Sequence, residues 1–110
     1  MTKFEINGVE WTIYYVDPKS RNLRRSDGSM TVGMTDTINH TVCIADNLHP
    51  VFEKKVLCHE IVHCAMCSYG VFLTVKQEEV IADLIATYGE EIIETTNNIF
   101  NRLHYRGCVV

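Results

Sequence analysis

A chain of 110 residues, 46% of them hydrophobic and 22% charged, suffices for one domain that buries about two-thirds of its unfolded surface, and leaves no room for a second. A formal charge of -4 argues against a dedicated nucleic-acid binder. No run approaches the roughly 18 apolar residues of a membrane span, so neither nucleic acid nor membrane is an expected partner.

In chain order, the opening stretch MTKFEINGVEW lacks an apolar core of signal-peptide length, which points to the cytoplasm. Phe4 and Ile6, the Asn7-Gly8 pair, then Val9, Trp11, Ile13 and Tyr15 at period two predict a hairpin, because Asn-Gly supplies the positive φ angles of a type I′ turn. Residues 17 to 29 are polar, contain Pro18 and Gly28, and read as loop. Their basic cluster, Lys19, Arg21, Arg24 and Arg25, is expected to be a solvated surface. Met30, Val32 and Met34 alternate and Val42 to Ala45 is a short apolar run, which predicts two further strands joined through residues 36 to 41.

His49-Pro50 suits the start of a helix running to about Tyr69, where Gly70 stops it. Thr74 to Gln77 resembles a capping box that opens a second helix through about Tyr88, and beyond Gly89 an apolar face of Ile92, Ile93, Ile99, Phe100 and Leu103 predicts a third. The expected fold is therefore α+β: a small, mostly antiparallel sheet of three to four strands packed on two to three helices. Five cysteines, an odd number, are expected to be reduced, with Cys64 and Cys67 as packing residues; a C-x-x-C thiol redox site is the competing account of that pair. The tail from His104 to Val110 is a candidate cover for so small a cleft.

The first helix poses the chemical question. Val56, Leu57, Ile61, Val62, Ala65 and Met66 leave it no wet stripe, yet His59, Glu60 and His63 sit in its middle, and buried groups of that kind need partners or a bound ion. His59-Glu60-Ile61-Val62-His63 is the H-E-x-x-H pattern. Residues four apart share a helix face, so two imidazoles can hold one zinc ion at about 2.1 Å while Glu60 leans toward a metal-bound water as general base.

A third ligand is offered by the second helix, where Glu79 and Asp83 are four apart beside the small Ala82 and Ala86. Glu79 could complete the site and Asp83 could accept the free N–H of one histidine, by preference His59. Glu78 competes as a ligand but points away from Asp83, and Cys67, four residues after His63, is a minor alternative.

HEIVH followed by Glu79-Val80-Ile81-Ala82-Asp83-Leu84-Ile85-Ala86 resembles the gluzincin arrangement, and more narrowly the small phage and prophage metallopeptidases of the ImmA/IrrE type. The resemblance covers both helices well and the strands only loosely. It implies a zincin-like minimal catalytic domain, with His59, His63 and Glu79 as zinc ligands, Glu60 as general base and acid, and Asp83 as an outer partner. It also implies a protein or peptide substrate, in the class of phage or host regulatory proteins. Several relatives accompany helix-turn-helix repressors, and this chain is too short to include such a module.

The expected activity is zinc endopeptidase, and the rival is a metal-stabilised, partner-binding module without catalysis. An extended substrate would pair with the strand around Val32, Gly33 and Met34, since glycine lets another backbone approach; a bulge at Gly33 is the plainer account. Tyr69, Tyr88 and His104 are the candidates for stabilising the developing oxyanion.

Overall fold

A computed structural model describes the backbone of residues 1–109 and the side chains of residues 1–104. The fold is α+β. Strands β1 (Thr2–Ile6), β2 (Val9–Val16), β3 (Gly33–Asp36) and β4 (Thr41–Ala45) form one sheet in the order β1-β2-β4-β3, followed by helices α1 (Pro50–Ser68) and α2 (Val75–Val109).

Asn7 and Gly8 both have positive φ, 49° and 76°, so the β1–β2 hairpin closes with Ile6 opposite Val9. The sheet is mixed: the β1–β2 and β3–β4 pairs are antiparallel, while β2 and β4 run parallel. A parallel pair needs a long crossover, and the polar loop together with β3 supplies it. That loop is anchored by Leu23, fully buried at the end of a 3₁₀ turn over Arg21–Leu23, whose carbonyl accepts from the Thr31 amide at 2.8 Å.

The expected strand from Met30 is shorter than its alternation predicts. Met30 makes only an isolated bridge to Arg24, and regular pairing starts at Gly33. The loop claims the preceding residues through the Thr31–Leu23 bond.

Helix α1 is the middle layer. One side packs Val56 and Cys64 against Trp11, Ile13, Val42 and Ile44 of the sheet; the other packs Val62 and Met66 against Ala82 of α2. Burial on two sides is why its sequence has no wet stripe. His49 caps its start, Nδ1 accepting from the Val51 amide at 3.3 Å, and Gly70 at φ 68° ends it. The Trp11 indole donates to Ser68 Oγ at 2.8 Å and the Asn7 amide to the Ser68 carbonyl at 3.0 Å, which ties the hairpin to the helix end.

At the start of α2, the Thr74 amide donates to Gln77 Oε1 at 3.1 Å and the Gln77 amide to Thr74 Oγ1 at 3.2 Å, a reciprocal capping box. The expected third helix is not separate: α2 runs unbroken through Gly89 for 35 residues. One glycine costs about 1 kcal/mol in a helix, too little to break it without proline or a turn sequence behind it. Residues beyond His104, considered above as a cover for the cleft, continue α2 as helix to Val109, and their side chains lie outside the described residues. No helix among the described residues is long and apolar enough to cross a membrane.

Candidate metal centre

Helix spacing places His59 and His63 on the α1 face that meets α2, with their Nε2 atoms 3.1 Å apart. Buried Ala82 lets α2 come close enough for Glu79 to reach both rings, one carboxylate oxygen 3.2 Å from His59 Nε2 and the other 3.0 Å from His63 Nε2. Among the described residues these three form the one group of His, Cys, Asp or Glu side chains whose ligand atoms converge, all within 4.8 Å of one another. A His/His/Glu group of this kind can hold a metal ion.

Each imidazole is gripped from behind. His59 Nδ1 lies 2.9 Å from Asp83 Oδ1, and His63 Nδ1 lies 2.6 Å from Glu78 Oε1. Carboxylates only accept, so with a proton on each Nδ1 both contacts are satisfied and each Nε2 is left to offer a lone pair to an ion. In that tautomer two rings and a carboxylate offer electron pairs to one point, which a bound cation would accept. The donor set therefore fits a bound metal ion.

Glu78 has a role that its position on the wheel did not suggest. Its 100° offset from Glu79 carries it past the converging group to the far nitrogen of His63, where it matches what Asp83 does for His59. A carboxylate adjacent in sequence to the third ligand was the available signal. Cys67 packs against the sheet-side core and does not join the group.

Glu60 lies between α1 and the sheet edge, 7% exposed. Thr35 Oγ1 donates to its Oε1 at 2.9 Å. Burial pushes its carboxyl above the ordinary glutamate range and Glu79 adds to that, while the Thr35 hydrogen bond and the two imidazoles pull it back. Thr35 is a threonine in a short strand, and nothing in the sequence marks it as Glu60's partner.

Gly33 is glycine because Val56 and Glu60 of α1 pass so close to it. A Cβ there would stand 2.8 Å from Val56 Cγ1 and 3.1 Å from Glu60 Cγ and Oε2, so the close approach expected at Gly33 is made by α1. We expect Gly33→Ala to cost about 1–3 kcal/mol in denaturant unfolding, because Val56 is core and cannot yield freely, and to displace Glu60.

Strand β3 is the sheet edge, as substrate pairing would require. The Ala45 amide donates to the Val32 carbonyl at 2.9 Å, so the pairs 32/45, 34/43 and 36/41 exchange hydrogen bonds. The outward-facing main-chain groups thus belong to Gly33 and Thr35, and those of Val32 and Met34 are turned toward β4.

A cleft of about 470 Å³ joins this edge to the ligand trio and is lined by Arg25, Gly33, Met34, Thr35, His59, Glu60, His63, Val75, Glu78 and Glu79 among others. Tyr69, Tyr88 and His104 do not line it. Tyr69 is exposed at the end of α1, Tyr88 is exposed about 13 Å along α2 from Glu79, and His104 stacks on Phe100 about 37 Å along that helix. In their place stands Arg25, from the cluster expected to be a solvated loop. It lines this cleft and a neighbouring hollow of about 380 Å³ that also borders His59, Glu60, Glu79 and Asp83. Its Nη2 donates to Thr31 Oγ1 at 3.3 Å, and it forms no ion pair within 4 Å among the described residues. An arginine in a polar loop carries no sequence signal for such a place.

No family model, curated protein or solved structure matches the chain.

Proposed function

We propose that the protein is a zinc-dependent endopeptidase of the gluzincin kind, acting in the cytoplasm on a protein or peptide substrate. The observation that carries this reading is the convergence of both Nε2 atoms with the Glu79 carboxylate, beside a separately held carboxylate on Glu60. His59, His63 and Glu79 would hold the ion. Zinc bound there supplies the Lewis acidity that makes water nucleophilic near neutral pH and polarises the scissile carbonyl.

The chain's own residues do the rest. Gly33 and Thr35 present edge-strand main-chain groups to an extended peptide. Glu60 takes the proton released as the water oxygen bonds to the carbonyl carbon, then delivers it to the departing nitrogen as the C–N bond breaks. The burial that raises its carboxyl suits a group that must alternate between base and acid. Arg25 offers a positive charge for the oxygen on which negative charge develops.

The test is hydrolysis of unfolded casein and of a mixed peptide library by the zinc-loaded chain, with a chelator suppressing it and added zinc restoring it. Inert substrate under all conditions refutes the enzyme reading and leaves the metal-stabilised binding module. Within the active protein, Arg25→Ala is expected to lower kcat about 10- to 100-fold at unchanged zinc content. Thiol redox chemistry is disfavoured because burial pushes the Cys64 thiol up to about 12, which leaves almost no thiolate at neutral pH.

A further inference from the structure

The second half of α2 carries an apolar face that no other described residue covers. Lys54, in the first turns of α1, reaches Glu90 at 3.5 Å, so α1 runs out beside α2 at about residue 94 and roughly 22 Å of α2 continues alone to Val109. This overhang makes the molecule 60 Å long against 31 and 27 Å in its other dimensions.

On a helical wheel Ile92, Ile93, Thr96, Ile99, Phe100 and Leu103 fall within about 120°. That arc continues the face with which Ala82 and Ile81 meet α1. Ile92, Ile93, Ile99, Phe100 and Leu103 are 43% to 65% exposed. Thr95, Thr96, Asn97, Asn98 and Asn101 are weak helix formers, and a bare helix of this length is marginal in water, so the segment needs a packing partner to hold its shape.

We infer that the partner is a second copy of this chain, the two overhangs packing antiparallel about a two-fold axis near Thr96. The charge order along the helix sets the direction. Glu90, Glu91 and Glu94 lie at the near end and Arg102 at the far end. Antiparallel packing puts Arg102 of each copy beside the acidic end of the other, whereas parallel packing would set glutamates against glutamates. In this register Ile92 and Ile93 of one copy meet Phe100 and Ile99 of the other. The apolar side chains offer on the order of 600 Å² a copy, at the low end of specific interfaces. Each cleft then lies near an outer end, with the two Glu79 residues about 50 Å apart.

Sedimentation velocity of the full chain between 1 and about 200 μM tests this, with circular dichroism and zinc content measured alongside. The expected result is a reversible monomer–dimer equilibrium, with Ile99→Glu raising the dissociation constant at least tenfold at unchanged zinc content. Arg102→Glu should weaken the dimer and Glu91→Arg in the same chain should restore it, as only the antiparallel register pairs those positions. A chain monomeric at every concentration overturns the proposal and leaves the face to another protein. Assemblies larger than two, or a dimer indifferent to both Ile99→Glu and Arg102→Glu, overturn it as well.

Discussion

Glu60→Gln is expected to retain its metal and to lose peptide hydrolysis by about 10²- to 10⁴-fold, the range assigned to a positioned general base. Glutamine has nearly the same shape as glutamate, and its carbonyl oxygen can still accept from Thr35 Oγ1, so the side chain should stay where Glu60 lies. His59, His63, Glu78, Glu79 and Asp83 are untouched, and metal content by atomic absorption should remain that of the parent chain. At 1.36 kcal/mol per decade the loss corresponds to about 3–5 kcal/mol of transition-state stabilisation.

Stability should move the other way. The carboxyl of Glu60 is raised chiefly by burial, so the metal-free fold favours its protonated form. That preference is fully present below the unfolded-state pKa and disappears as the pH rises through the folded-state value. The amide carries no such dependence, so metal-free Glu60→Gln should gain on the parent chain as the pH rises across that window. A variant that is inactive yet no less stable, with metal in place, separates chemistry from unfolding. One that keeps full activity would end the peptidase reading.

The helical half of the site was legible because helix geometry is local. Residues four apart share a face whatever the tertiary context, so His59 with His63 and Glu79 with Asp83 could be grouped from spacing, and two alanines marked where the helices could close. The strands were legible as pieces, but their order was not. β2 and β4 pair in parallel because a 24-residue crossover brings them together, and no period in either strand encodes its neighbour.

The residues that sequence reasoning missed all act across such long connections. Thr35 reaches Glu60 over 25 positions, and Glu78, weighed only as a competing ligand, reaches the far nitrogen of His63 over 15. Arg25 enters the cleft only because Leu23, two residues earlier, is buried under the sheet edge. Gly89 misled for the opposite reason: a local helix breaker was outweighed by the good helix formers around it.

Glu79→Ala is expected to weaken zinc binding at least 100-fold and to remove most of the thermal stabilisation that zinc gives the parent chain. Two imidazoles four apart on one helix leave a half-open site, and Glu79 is the side chain that closes it from α2, within 3.2 Å of both rings. A ligand that binds only the folded state stabilises it by RT ln(1 + [L]/Kd), about 4 kcal/mol at 1,000 times Kd. A 100-fold loss of affinity at the same zinc concentration removes about 2.7 kcal/mol of that, which a thermal melt with and without zinc resolves.

The comparison that gives the result its meaning is with the outer carboxylates. Asp83→Asn and Glu78→Gln leave all three ligands in place and change only what the Nδ1 protons meet, so each should weaken zinc by about 10- to 100-fold, less than the loss of Glu79. If Glu78→Gln proves the more damaging change and Glu79→Ala keeps its zinc, the third ligand is Glu78. His63 would then turn its other nitrogen to the ion, and the cleft would be built around a different face of α2.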